Sequence, residues 1–288
     1  MLETTHHWLP IIIALYAPLS FIITYSIAVE NKHVEPGFPY ISYTGTRPPE
    51  SCVLGQLLNI GALLAGVIIY TRYRQSRFHF ENSENIQNSQ NSKNRENSAR
   101  KYLLHLNTAA FITGLLTIFG VSLVGNFQST NIWEVHLLGA FLAFGVGFVY
   151  MILQTIISCK SVSFKIPGNS LYIRGFRIAL CVADFVLLII CGIAALLSTS
   201  KGPGPGKSTL HWSSDEPGYA EHLVASISQW LVAFTTVIYF ATFYEEFKHF
   251  HMKPPEVSYI EPPRSDWCPC SFSMFHKCRQ EIHSAGND

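Results

Sequence analysis

The side chains able to do chemistry in this chain are few, and most of them gather at the ends of apolar segments. Glu50, His136, His211, Asp215, Glu216, Glu221 and His222 are carboxylates and imidazoles, the groups that ligate zinc and move protons. Their spacing is not diagnostic of a metal site. No His-x-x-x-His pair is present, and the adjacent Glu221 and His222 point to different faces of one helix. The reading that follows is of interfacial polar residues that hold helix ends, with His211 and His222 able to respond to an acidic compartment. No metal and no cofactor are expected.

Asp184 stands apart, near the middle of a long apolar stretch. A carboxylate at that depth in a bilayer costs about 2.5–3.5 kcal/mol on insertion scales. It serves either as a proton or substrate site or as a structural carboxyl bonded to a neighbouring helix or to Arg177, and the structural role is preferred. A coupled transporter needs more groups of this kind than the chain offers. The seven cysteines make no disulfide framework. Cys268-Pro-Cys270 with His276 and Cys278 has the composition of a metal site without a diagnostic spacing, and Cys159 borders a span as palmitoylated cysteines do. No P-loop, dinucleotide fingerprint, nucleophile elbow or Asn-x-Ser/Thr sequon occurs.

Composition sets the frame for these residues. Of 288 residues, 48% are hydrophobic and only 14% are charged, against about 25% charged in a soluble domain. The charges fall in loops and tails, so lipid is the expected solvent. A net charge of +1, with no basic patch interleaved with aromatics, argues against a nucleic-acid partner. Six stretches are long and apolar enough to span: Trp8–Val29, Cys52–Tyr70, Leu103–Val124, Val135–Ile157, Ile173–Ser198 and Leu223–Tyr244. None alternates with period two, so the fold class expected is an all-α six-transmembrane helix bundle. The first stretch lacks both the basic flank and the cleavage pattern of a signal peptide, and is read as a retained helix.

Lysine and arginine orient the bundle. Arg72, Arg74, Arg77, Lys93, Arg95, Arg100 and Lys101 follow the second span. Lys160, Lys165, Arg174 and Arg177 follow the fourth, and Lys248, Lys253, Arg264, Lys277 and Arg279 the sixth. The other side holds only Lys32, Arg47, Lys201 and Lys207. The bias places both termini in the cytosol. The Asn/Ser-rich insert, about residues 78–100, is too polar to bury a core and is expected to be disordered, and the tail 251–288 to be a separate cytosolic segment. Small residues mark the seams on which helices meet in lipid: Gly55, Asn59, Ala62 and Gly66 in the second span, and Gly139, Ala143 and Gly147 in the fourth. Arg177, Cys181, Asp184, Cys191 and Ala195 share a face in the fifth.

Several motifs resemble one family. Pro39-Tyr-Ile-Ser-Tyr-Thr-Gly-Thr-Arg-Pro-Pro-Glu50, preceded by His33-Val34 and followed by Gly55 and Asn59, is similar to the first lumenal loop of the damage-regulated autophagy modulators, within the wider Frag/DRAM/Sfk group. Tyr70-Thr-Arg-Tyr73, Asn126-Phe127-Gln128, His136, Gly139-Ala140, Phe144-Gly145 and Gln154-Thr-Ile156 continue the resemblance. So do Leu210-His-Trp212, Gly218-Tyr219, His222 and Gln229-Trp230, and the likeness runs through Phe247. Tyr43 departs from it, standing where the family usually has Asp. The resemblance implies six spans over residues 1–250, lysosomal or other endomembrane residence, and non-enzymatic promotion of autophagy. Membrane lipids and other membrane proteins are the partners it implies. The alternative is a lipid-linked role of the wider group, in phosphoinositide-kinase regulation or GPI-lipid remodelling, at the plasma membrane or Golgi. No catalytic residue carries over. The candidate ligand-binding face comprises Glu50, Asn59, Asn126, Gln128, His136, His211, Trp212 and His222, with Asp184 as a separate intramembrane group. The topology has a direct test: a tag fused after Asp288 is cleaved by protease added to intact lysosome-derived vesicles of cytosolic-side-out orientation, and a protected tag reverses the assignment.

Overall fold

The computed structural model describes residues 6–82, 90–203 and 208–250. The chain divides into two units, Met1–Met252 and Lys253–Asp288, and the second lies outside the described residues, as do the readings made above for Cys268, Cys270, His276 and Cys278. The helices are α1 (Leu9–Glu30), α2 (Glu50–Asn82), α3 (Gln90–Asn126), α4 (Trp133–Ala140), α5 (Gly147–Lys160), α6 (Leu171–Lys201), α7 (Tyr219–Ala241) and the short α8 (Tyr244–Phe247). α4 runs through a π-helical turn, Phe141–Val146, into α5. Six helical segments are long and apolar enough to cross a membrane, and among the described residues there is no strand. The outward surface is apolar: Leu63 is 70% exposed and Leu196 75%. Water does not tolerate such a surface over six helices, and hydrocarbon does.

The helices overrun the expected spans mainly at the end that carries the arginines. α2 has 33 residues, about 50 Å at 1.5 Å per residue, against a hydrocarbon core of about 30 Å. At the edges of the polar insert, residues 78–82 and 90–100 are helical, and residues 83–89 lie outside the described residues. Polar composition there removes a core but leaves helix propensity, since Asn82 and Arg77 extend an already nucleated helix. Arg77 adds an i,i+4 pair with Glu81 at 2.8 Å.

In one bundle the spans pack as a ring. α2 packs on α3, α3 on α4, the π turn and α5, α5 on α6, α6 on α7, and α7 and α2 both on α1. The small-residue seams lie where spacing placed them. A Cβ on Gly55 would come within 2.8 Å of the Gly125 carbonyl oxygen, and Gly66 faces Ile118. Gly139 and Ala143 meet Gly120, and Gly147 meets Thr117. Asn59 and Asn126 exchange amide hydrogen bonds at 3.1 and 3.2 Å, while Ser122 Oγ donates to Asn59 Oδ1 at 2.8 Å. These bonds hold α2 to α3 where packing alone gives little drive.

Gly120 separates backbone contact from helix propensity. A Cβ there would stand 2.5 Å from Leu142 Cβ and 2.6 Å from the Ala143 nitrogen, whereas Gly175 has nothing within 4 Å. Gly120→Ala should destabilise by about 1–3 kcal/mol through overpacking, read as a lower melting temperature in detergent. Gly175→Ala should leave the melt unchanged or raise it, because alanine is favoured over glycine in a helix by about 1 kcal/mol.

Candidate functional site

Two polar assemblies stand at opposite ends of the ring. The first is the face formed by the loop residues 31–49, 127–132, 202–203 and 208–218, where the sequence placed its candidate residues. The loop after α1 is fastened to the bundle at short intervals. Tyr25 Oη donates to the Pro36 carbonyl at 2.8 Å, Trp230 Nε1 to that of Pro39 at 2.9 Å, and the Ile41 N–H to Gln229 Oε1 at 2.9 Å. Thr24 and Thr44 hydroxyls bond at 3.1 Å, and the Glu35 N–H reaches the Leu210 carbonyl at 3.1 Å. The 3₁₀ turn Ile41–Gly45 is thereby sunk between α1, α2 and α7, with Ile41 packed on Phe21 and Ala233.

Over this turn His222, at the start of α7, sits in an aromatic box. Tyr40, Tyr43 and Trp212 have ring centroids 4.9, 6.1 and 4.7 Å from it. Gly218 begins the helix at φ 78°, and a Cβ there would come within 3.0 Å of the Trp212 ring, so the box requires glycine at this turn. Trp212 Nε1 donates to the Pro217 carbonyl at 3.1 Å. His222 Nδ1 is buried without a bonding partner. Burial pushes the Tyr40 and Tyr43 hydroxyls up from their ordinary value, against the opposing hydrogen bonds of Ser198 and Thr209. Both phenols therefore remain neutral through the physiological range. Beside the box, His33 Nδ1 pairs with Glu50 Oε1 at 2.5 Å, while Glu50 is fully buried and its Oε2 has no partner. A carboxylate bonded to one ring nitrogen fixes the tautomer and orientation of the imidazole.

The predicted residues share this face and divide into separate groups. Glu50 pairs with His33, and Trp212 and His222 meet in the box. His211 Nε2 donates to the Lys32 carbonyl at 3.0 Å, His136 Nδ1 to that of Phe127 at 2.7 Å, and Gln128 Oε1 accepts from Asn131 at 3.2 Å. Asn59 and Asn126 belong to the α2–α3 contact. Glu221 turns away to an ion pair with Lys201. Among the described residues no three His, Cys, Asp or Glu side chains approach closely enough to hold a metal ion. Sequence reasoning left out Tyr40 and Tyr43 as box walls, although both lie in the motif that carried the resemblance.

The second assembly lies at the basic end, and spacing gave no warning of it. Arg72 of α2, Arg177 of α6 and Glu246 of α8 are fully buried. Glu246 is 2.5 Å from Arg177 and 3.1 Å from Arg72. Gln154 accepts from Arg72 Nε at 3.2 Å, Gln75 accepts from Arg72 Nη1 at 3.1 Å, and Thr242 accepts from Arg177 Nε at 2.8 Å. Ser158 is bonded to Arg177 as well. The Phe243 ring lies between both guanidiniums, 5.2 and 4.8 Å from them. Of the two partners expected for a structural Asp184, a neighbouring helix and Arg177, the structure has the neighbouring helix. Arg177 turns toward the helix end and Glu246, and Asp184 instead accepts from Thr235 of α7 at 2.5 Å with its Oδ2 unpartnered. The Tyr244–Phe247 turn delivers Glu246 inward.

A ring of six apolar spans, closed at one end by a docked loop and at the other by a buried ion cluster, defines a multi-pass helical membrane protein. The chain matches the family described as Frag1/DRAM/Sfk1/Cwh43P N-terminal domain over residues 6–250, and belongs to it. It is 34% identical to the DNA damage-regulated autophagy modulator protein 2 of Mus musculus over 84% of this chain and 83% of that one. It is 35% identical to protein 1 of that name from Homo sapiens, over 84% and 90%. Identity is 31% to the modulator of macroautophagy TMEM150B of Xenopus tropicalis, over 85% and 90%. No solved structure matches significantly.

Glu246 gives the ion cluster a sharp test. Glu246→Gln leaves two buried guanidiniums without a carboxylate and should destabilise the protein by about 3–5 kcal/mol. Its neighbour Glu245, which pairs at 2.9 Å with the exposed Lys248, should cost only about 0–1 kcal/mol when changed to Gln. Melting of both purified variants in detergent makes the comparison.

Proposed function

We propose that the protein is a non-enzymatic modulator that promotes autophagy from the lysosomal membrane, with the basic end in the cytosol and the docked-loop face in the lumen. The observation that carries the reading is the family match over residues 6–250, together with relatives named as autophagy modulators at 31–35% identity. The docked face supports it in kind. The polar atoms of His136, His211 and Trp212 bond backbone carbonyls, which makes that face a rigid surface for recognition. Membrane proteins and lipids are the partners in this reading, and nucleic acid is not one. The charge bias between the two ends supports the orientation.

The test is loss and rescue. Cells lacking the protein should show reduced autophagic flux under starvation, measured as lysosome-inhibitor-sensitive turnover of a lipidated autophagosome marker. The wild-type tagged chain should restore flux and sit at the lysosomal limiting membrane. A triple change of the box, Tyr40→Ala with Tyr43→Ala and Trp212→Ala, should reach the same membrane and restore flux poorly. Normal flux in the null cells with an altered GPI-lipid or phosphoinositide profile would replace this reading with the lipid-linked one.

A further inference from the structure

Between the two polar ends the ring is hollow. A cavity of about 160 Å³ lies among α1, α2, α3, the π turn and α7. Small side chains leave it open: Ala17, Gly61, Ala62, Ala143 and Ala233 all line it. Two backbone irregularities border it. Pro18 interrupts the hydrogen-bond ladder of α1 beside Ala17, and the π turn contributes Ala143 and Phe144. π turns inside helices are frequent at functional sites.

The lining offers nothing to a polar ligand. No charged residue is present, and its hydroxyls are already bonded within the bundle. Tyr16 donates to the Leu57 carbonyl at 2.9 Å, Ser20 to Tyr16 at 2.8 Å, Thr117 to Thr113 at 2.9 Å and Thr236 to Val232 at 3.0 Å. A dry apolar cavity of about 150 Å³ is known to take a benzene ring or xenon and to exclude water. Toward one end it is lined by Ile41 of the docked loop, and toward the other by Phe240, stacked on Tyr150 at 5.8 Å. The wall is thinner on the bilayer side. Phe144, Thr236 and Val237 are only half-buried, and α4 and the π turn pack mainly on α3.

We propose that this cavity binds one acyl chain of a membrane lipid, admitted sideways between the π turn and α7. A volume that matches a single aromatic ring holds a segment of a flexible chain, the rest of which stays in the bilayer, whereas the four fused rings of a sterol cannot enter in part in this way. The proposal does not depend on the autophagy reading, because its readout is made on the purified protein.

The full chain is reconstituted in palmitoyl-oleoyl phosphatidylcholine vesicles doped with a phosphatidylcholine carrying a mid-chain diazirine, irradiated, digested and mapped by mass spectrometry. Adducts are expected at the interior residues Ala62 and Ala233 as well as at the outward Leu63 and Leu231. Ala17→Leu and Ala143→Leu, each filling the cavity from a different wall, should lower the interior adducts several-fold and leave the outward ones unchanged. Wild-type melting temperature is the criterion that a variant has folded, and either variant alone suffices. Outward adducts without interior ones in the wild type would overturn the proposal. So would interior adducts that persist in a folded, filled variant, or interior labelling by a photoactivatable sterol at the expense of the phosphatidylcholine probe.

Discussion

The carboxylate of Glu246, held between Arg72 and Arg177, is the interaction on which the bundle turns. Lipid gives helices no hydrophobic reason to associate, so contacts that hydrocarbon cannot replace decide which spans meet. Two arginines and one glutamate, all fully buried, are such contacts. Gln75 and Gln154 complete Arg72, and Thr242 completes Arg177. In one cluster α2, α5, α6, α7 and α8 are tied together. A lone charge in that position would be prohibitive, and each member is tolerated only because the others are present.

That constraint has consequences further along the helices. At the basic end Phe243 lies between the guanidiniums and Tyr239 donates to the Met151 carbonyl at 2.9 Å. Toward the other end the fourth span follows α3, through the Gly120–Gly139 approach, and leaves α7 to pack on α6 and α1. The docked loop then acts as a wedge. Ile41 and Thr44 occupy the opening and fasten it to α1 and α7. The hollow in the ring is what remains between the ionic closure and the docked loop.

The family motif gains a physical meaning from this arrangement. His33, Thr44, Glu50, Trp212, His222, Gln229 and Trp230 carried the resemblance, and they are among the side chains that orient or bind the first loop. In Gly45 the same loop has a residue whose Cβ would come within 2.2 Å of Leu54 Cδ2. The motif thus encodes one preformed surface, in which Tyr43 stacks against His222.

Hydropathy and charge are properties of short stretches, and for that reason the chain alone settled the number of spans, the all-α class and the small-residue seams of the second and fourth helices. It also placed Glu50, His136, His211 and His222 on one face, since alternation of spans sends those segments to the same side. It did not settle which side chains meet. Asp184 pairs with Thr235 rather than Arg177, Arg177 pairs with Glu246, and Ile41 is held by Gln229. Each partner comes from a distant helix whose rotation is fixed by packing against neighbours. The edges of the polar insert show a related limit: composition reports whether a segment can build a core, while a helix already nucleated in its neighbours can continue without one. The box around His222, the ion cluster and the cavity belong to that second kind of information, because spacing along one helix carries no record of the helix that will face it.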